Sequence, residues 1–389
     1  MRHFFLLLMV LAGLRAPAQS FDRTHGGEGF DRGMHVLSAN DGWVVCGYTS
    51  SFGNGNQVYL IKLDSLGNKQ WEKNYGGAGF EMGWIVKNAS NGSLVVLGMT
   101  NSRDSLNHDI LVMKLDGDGN MIWEKTYGNK KYERATDLMP TTDGNFLISG
   151  QRNVSSTNID NYLLKIDPDG NLIWEKSYGD SLSQRNFYSS GTKNGDYLVA
   201  GVHLPAGTSN TDIVLSRLDK DGNIKWTKNF GQLKDHDIVH SLTQNRNGSY
   251  TLIGYRSADR AGFHDALLLQ VDENGKLLME KTCSNGEDLR LMHAEQTPDG
   301  GLIATGFTRK DISKEIWDAV LIKFNSLGER EWIKTFGSPD KDDQGYWIVV
   351  NSDGGFTLTG YTHSKGKNGD LWIVRTDANG KVDHGPDNK

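Results

Sequence analysis

Apolar and β-branched residues occur in short runs bounded by Asp-Gly or Asn-Gly turns, and no stretch repeats its apolar positions at helical spacing. One phrase returns along the whole chain. It reads YLIKLDSLGNKQWEKNYGG from Tyr59, LVMKLDGDGNMIWEKTYGN from Leu111 and YLLKIDPDGNLIWEKSYGD from Tyr162, with weaker copies from Val214, Leu267, Val320 and Leu371. Its turn glycines, Gly67, Gly119, Gly170, Gly222, Gly275, Gly328 and Gly380, stand 51 to 53 residues apart. Seven copies of a unit this long signal a propeller or a solenoid.

The third copy shows what the unit contains. Strands are predicted over 136–141, 145–150, 161–167 and 171–178, with turns at Thr142-Asp143-Gly144 and Pro168-Asp169-Gly170. Four antiparallel strands per unit make a propeller blade. The seventh copy stops after Gly380-Lys381-Val382, short of the Trp-x-Lys-x-Tyr-Gly strand that the others carry. The missing strand lies at the opposite end, where Phe21-Asp22-Arg23-Thr24-His25-Gly26-Gly27 matches the segment from Trp71 to Gly77. The expected fold is all-β: a seven-bladed β-propeller of four-stranded blades, its ring closed by the N-terminal strand. Closure of this kind removes two exposed sheet edges.

Composition adds location and excludes some partners. Met1-Arg2-His3, the apolar run Phe4 to Leu14 and the small-residue site Ala16-Pro17-Ala18 read as a secretory signal peptide. Residues 1–18 are thus expected to be removed, 19–383 to form one propeller and 384–389 a short tail. The apolar run is too short to span a bilayer, so the expected location is secreted, periplasmic or at the cell surface. The formal net charge is −6, and losing Arg2 and Arg15 would leave 40 basic against 48 acidic residues. That balance argues against a nucleic-acid partner, and a monomer is expected. Cys46 falls on the second strand of blade one and Cys283 on the outer strand of blade five, too far apart for a disulfide.

The phrases D-G-G-F-x-L-x-G-Y-T (Asp353 to Thr362) and D-x-x-G-N-x-x-W-x-K-x-Y-G resemble the uncharacterised β-propeller repeats of secreted bacterial surface proteins. The resemblance covers nearly all of the chain beyond residue 18. It implies an exported propeller and brings no catalytic motif with it. The repeat phrase of quinoprotein dehydrogenases fits less well, having one more residue between Asp and Gly than Asp64 to Gly67.

A residue present in every blade reads as scaffold, because a single ligand would break the symmetry. Asp109, Asp160, Asp212, Asp265, Asp318 and Asp370 are therefore assigned to strand starts, and Trp71, Trp123, Trp174, Trp226 and Trp332 to inter-blade packing. The calcium-like turns at Asp116, Asp167 and Asp219 lack the closing Glu of an EF-hand and read as hairpins.

Positions that break symmetry carry more. Eleven residues before each first-hairpin glycine stand Asp31, Glu81, Glu133, Gln184, Asp237, Leu289 and Asp343, with Arg32, Arg134, Arg185 and Arg290 beside them. These could form an acidic channel mouth for a divalent cation or polar ligand, or a set of salt bridges. The second-to-third-strand loops of blades five to seven carry Arg256, Arg260, Arg309, Lys310, Lys314, Lys365 and Lys367 against Asp259, Asp311 and Glu315. His236, His240, Phe263, His264, His293, Trp317, Tyr346, Trp347 and His363 lie nearby in sequence. The expected function is binding of an anionic polysaccharide or a protein partner on this face. Arg256, Arg260, Arg309, Lys310, Arg290, His240, Tyr346 and Trp347 are its expected ligand-binding residues. The alternative is a polysaccharide lyase or hydrolase in which His or Tyr acts as base and Arg neutralises a carboxylate. His236, His240, His293, Tyr346 and Arg290 supply those residue types. No serine elbow or phosphate loop occurs in the sequence.

Overall fold

A computed structural model describes residues 20–382, apart from 78, 103–106, 129–131, 156–157, 180–183, 205–209, 232–234 and 258–261. The chain forms seven four-stranded antiparallel sheets in a ring. Six blades use consecutive strands, as in Asp31–Ala39, Gly42–Thr49, Gln57–Asp64 and Lys69–Tyr75 of blade one. The seventh combines Asp343–Val350, Phe356–Thr362 and Asp370–Thr376 with Phe21–His25 from the other end of the chain. Phe21 pairs with Arg375 and His25 with Leu371, so the ring closes as the repeats require. The signal segment and the tail from 384 lie outside the described residues.

The second and third strands of a blade are buried on both faces because each blade is flanked by two others. The core therefore sits between blades. One cluster joins Ile85, Leu97 and Val112 of blade two to Leu138, Phe146 and Ile148 of blade three. Cys46 is buried and Cys283 half-buried, and both are free thiols.

The repeated phrase works as a staple between neighbouring blades. The Asp116 carboxylate accepts the N–H groups of Asp118 and Asn120, at 2.9 and 2.8 Å, which fixes a hairpin turn and leaves no calcium loop. That turn docks on the outer strand of blade one. Tyr75 donates its hydroxyl to the Gly119 carbonyl at 2.6 Å, and Lys73 reaches the Asn120 side chain at 2.7 Å. Blade two repeats both contacts on blade three through Tyr127–Gly170 and Lys125–Asn171. A Cβ on Gly119 would meet Trp71 at 3.1 Å, so the tryptophan series packs between blades as expected.

A second repeated device shapes the channel. Each innermost strand carries a β-bulge, at Met34, Trp84, Thr136, Phe187, His240, Met292 and Tyr346. Opposite the residue before each bulge stands a glycine of the second strand, such as Gly47 opposite Gly33 or Gly150 opposite Ala135. A Cβ at Gly47 would lie 1.7 Å from the Arg32 carbonyl oxygen, and one at Gly150 2.2 Å from that of Arg134. Only glycine lets the bulging backbone come this close. The glycine of the G-Y-T phrase thus permits the bulge, and in six blades the bulge residue lines the axial cavity.

Candidate functional site in the axial channel

The ring of acids expected at the channel mouth is consumed by the scaffold. Asp31, Glu81, Glu133, Asp237 and Asp343 are buried at the starts of the innermost strands. Each backbone N–H donates to a carbonyl of the preceding blade, for example Glu133 to His108 at 3.0 Å and Asp237 to Thr211 at 2.8 Å. Each carboxylate grips the second strand of its own blade. In blades one, two and seven the partner is a threonine: Thr49 to Asp31, Thr100 to Glu81 and Thr362 to Asp343. In blades three, five and six it is an arginine: Arg152 to Glu133 at 3.0 Å, Arg256 to Asp237 at 2.6 Å and Arg309 to Asp288 at 3.0 Å. Counting from the turn pointed to Leu289 in blade six, but that hairpin is one residue longer and Asp288 takes the role. Among the described residues no group of three or more His, Cys, Asp or Glu is arranged to hold a metal ion.

These latches also engage several of the residues expected at the rim. Arg256 is buried against Asp237 and Glu280, and Arg309 against Asp288 and Glu315, so neither guanidinium is offered to a ligand. Arg290 also turns to Asp288, at 3.2 Å, and lies over the Tyr255 and Trp317 rings. Lys365 and Lys367 pair with Asp22 and Glu28, and Lys314 stands 3.8 Å from Asp311. Asp237, Asp288, Asp22 and Glu28, all outside these loops, meet the charges of Arg256, Arg309, Lys365 and Lys367. Lys310 is exposed, and Arg260 lies outside the described residues.

The channel itself holds the chemistry. Take as upper the face carrying the blade-to-blade and second-to-third-strand connections. The upper chamber, a cavity of about 150 Å³, is lined by the bulge residues Met34, Trp84, Thr136, His240, Met292 and Tyr346, together with Arg134, Tyr188 and Trp347. His240, Tyr346 and Trp347, expected from the sequence on other grounds, do meet here. Burial, assisted by the Arg290 charge, lowers His240 to about 4, so the imidazole is neutral at physiological pH.

Two arginines of this region find no acid. Arg134 lies over the Trp84 ring with its guanidinium carbon 4.7 Å from the centroid. Arg32 is boxed by Phe30, Tyr48, Tyr346 and Tyr361, its guanidinium carbon 4.1 to 5.7 Å from their centroids. The Nε of each is buried without a hydrogen-bond partner, and neither makes an ion pair among the described residues.

Below a waist formed by Tyr188 and Trp347, a lower chamber of about 290 Å³ gathers polar groups from most of the ring. It contains Lys87 of blade two, Asp137 of blade three, Glu295 and His293 of blade six, His35 of blade one and Trp347 of blade seven. His293 stacks on Trp347 with centroids 3.6 Å apart, and His35 tilts against the same ring at 4.3 Å. Lys87 Nζ is 3.3 Å from His35 Nε2. Asp137 accepts the Ser189 N–H and hydroxyl at 2.7 and 2.8 Å, and Glu295 accepts the Val350 N–H at 2.9 Å. Burial raises Asp137 and Glu295 and holds His35 and His293 well below their ordinary range.

Lys87, Asp137, Glu295 and His35 escaped the sequence reading. They stand one or three residues after the bulge, in the columns His35, Ile85, Asp137, Tyr188, Ser241, His293, Trp347 and Leu37, Lys87, Met139, Ser190, Thr243, Glu295, Val349. The two columns stand seven and five residues before the first-hairpin glycines, so reading those positions across the blades would have exposed both as breaks in the repeat.

No protein-family description and no curated protein matches the sequence. Solved structures with a similar fold do exist. A puromycin hydrolase is 12% identical with a TM-score of 0.57, the match covering 91% of this chain and 52% of that one. The chain thus spans about half of that protein. A polysaccharide lyase is 10% identical with a TM-score of 0.54, covering 89% of this chain and 90% of the other. Drosophila Plexin A, solved in complex with Semaphorin 1b, is 7% identical with a TM-score of 0.50, covering 93% and 88%. Identity this low establishes the propeller architecture. Structures of this shape include a puromycin hydrolase, a polysaccharide lyase and a plexin bound to a semaphorin, so function has to be argued from the site.

Proposed function

We propose that the protein is an exported binding propeller whose upper channel receives the anionic group of a ligand, with an acidic saccharide as the class that fits best. The observation that carries this reading is the pair Arg32 and Arg134, whose buried Nε groups have no acceptor among the described residues. A carboxylate or sulfate entering from the upper face would supply one, and charge-assisted hydrogen bonds to arginine are among the stronger polar contacts. Trp84 and Tyr346 offer ring faces beside it. Export rests on the segment from Met1 to Ala18, and the cell surface or periplasm is the proposed setting.

Calorimetric titration with uronate and neutral oligosaccharides tests the proposal. Uronates should bind and neutral sugars should not. Arg134→Met should weaken uronate binding by about tenfold, the effect of losing one charge-assisted hydrogen bond. Equal affinity of the variant and the parent would sink the assignment.

A second reading has its own support. His240, neutral at physiological pH, shares the upper chamber with Tyr346 and Arg134, so a base and a charge neutraliser converge there. A lyase would show new absorbance from an unsaturated product, and His240→Gln should remove it.

A further inference from the structure

The lower chamber supports a different chemistry, independent of the anion reading. We propose that Lys87 captures the carbonyl group of a small aldehyde or ketone there as a covalent iminium. The amine is placed for it. Lys87 lines a cavity large enough for a small molecule rather than a polymer, and it keeps part of its surface open to the lumen. Among the described residues no carboxylate lies within ion-pair distance of Nζ, and its one hydrogen-bond neighbour is the His35 imidazole at 3.3 Å. The Trp347 ring stands 5.2 Å away. A lysine needed only for charge balance would ordinarily be paired, as Lys165 is with Asp143 and Lys323 with Asp299.

The surroundings supply the remaining parts. Burial lowers the Lys87 ammonium, against the opposing pull of Asp137 and Glu295, and so favours the free amine that a nucleophile requires. In the capture step the Nζ lone pair forms a bond to the carbonyl carbon, and the C=O π pair moves to oxygen. A proton passes from nitrogen to that oxygen and gives a carbinolamine. The hydroxyl then leaves as water, taking a proton from Asp137 or Glu295, whose carboxyl groups burial keeps closer to the protonated form. One water is released and a C=N bond joins ligand to protein. The Lys87 site thus needs no metal and no oxidant.

Borohydride trapping tests this directly. The purified protein is incubated with glyceraldehyde or, separately, pyruvate, then reduced, digested and mapped by mass spectrometry. The expected result is one dominant adduct on Lys87. Lys87→Arg, which keeps a positive charge beside Asp137 and Glu295 but cannot form an imine, should lose it. An unmodified Lys87 with label on exposed lysines such as Lys310 would overturn the proposal from the parent protein alone, whether or not the variant folds. Label on Lys87 from either compound upholds this inference whatever the uronate titrations show.

Discussion

The blade interfaces and the axial channel are built from the same strands, yet they obey opposite rules. In the scaffold the same residue types return in blade after blade, and the charged groups of the latches are paired. Glu133 with Arg152 and Asp237 with Arg256 tie strands within a blade, and Tyr75 with Gly119 joins two blades, while the buried Nε1 of Trp71, Trp123 and Trp174 has no hydrogen-bond partner among the described residues. In the channel the columns change from blade to blade, and Arg32, Arg134 and Lys87 stand without an acid within ion-pair distance among the described residues. A repeated, satisfied group holds the ring together. A unique, unsatisfied group inside that ring costs stability unless something else compensates it. The comparison is the reason the proposed site lies in the channel and not at the rim, where charge count alone had placed it.

The strongest way to break the comparison is at a latch. Asp237 receives the Arg256 Nε and Nη2 at 2.6 and 3.1 Å, fully buried. Asp237→Ala would leave a buried guanidinium with only Glu280 and should cost about 3–5 kcal/mol in a denaturant titration. Replacing Arg256 by Met in the same variant should restore part of that loss. A small effect in the single variant would mean that the latches are dispensable, and the rule of repeated scaffold would fail.

The bulge glycines come next. In Gly150→Ala the new Cβ would stand 2.2 Å from the Arg134 carbonyl oxygen, so the bulge must flatten or the sheet must part. A loss of about 3 kcal/mol is expected, in line with overpacking of a tight core. Because Arg134 and Thr136 flank that bulge, uronate binding should fall further than in a variant equally destabilised at a blade interface. Equal binding in the two would separate the glycine from the site.

Channel histidines make stability depend on pH, and the sign follows from their direction. His240 titrates near 4 in the folded protein against an ordinary value of 6.5. Below 6.5 the unfolded chain binds a proton that the folded one refuses, so stability falls as pH drops from 6.5 toward 4. One such group accounts for up to about 3 kcal/mol across that window. His25 is lowered to about 4 as well, so His240→Gln should flatten only part of the slope. Four acids run the other way, two of them Asp137 and Glu295, which burial raises. Burial and the charge of Asp343 raise Asp318, and burial and the charge of Asp31 raise Asp370. Their contribution is present at low pH and lost as pH rises through the raised values. Unfolding curves collected between pH 4 and 7 would show an unchanged slope in the variant if His240 were charged in the channel.

How much of this was legible beforehand follows from the same division. The repeat phrase set the blade count, the closing strand and the inter-blade role of Trp71 and its equivalents, because a sevenfold pattern survives in sequence. Strand ends were less visible. The first strand of blade three starts at Glu133 instead of the expected Thr136, since the latch extends it by hydrogen bonding to the preceding blade. The channel was least visible. A bulge adds one residue and reverses which side chains face inward, so simple alternation assigns Lys87 and Asp137 to the wrong side. Partner choice was hidden as well. Arg256 and Arg309 looked like free surface charge because their acids lie 19 and 21 residues away in sequence.

The smallest effect makes the sharpest test of rim against channel. Lys310 is exposed, sits in the basic loop of blade six and belongs to none of the latches. Lys310→Ala should change stability by less than about 0.5 kcal/mol, as expected for a surface side chain without special contacts. Uronate affinity should also stay unchanged at physiological salt, where a single exposed charge that does not line the channel is largely screened. A clear loss of binding in this variant, with Arg134→Met unaffected, would return the site to the rim and reduce the channel arginines to structural cations.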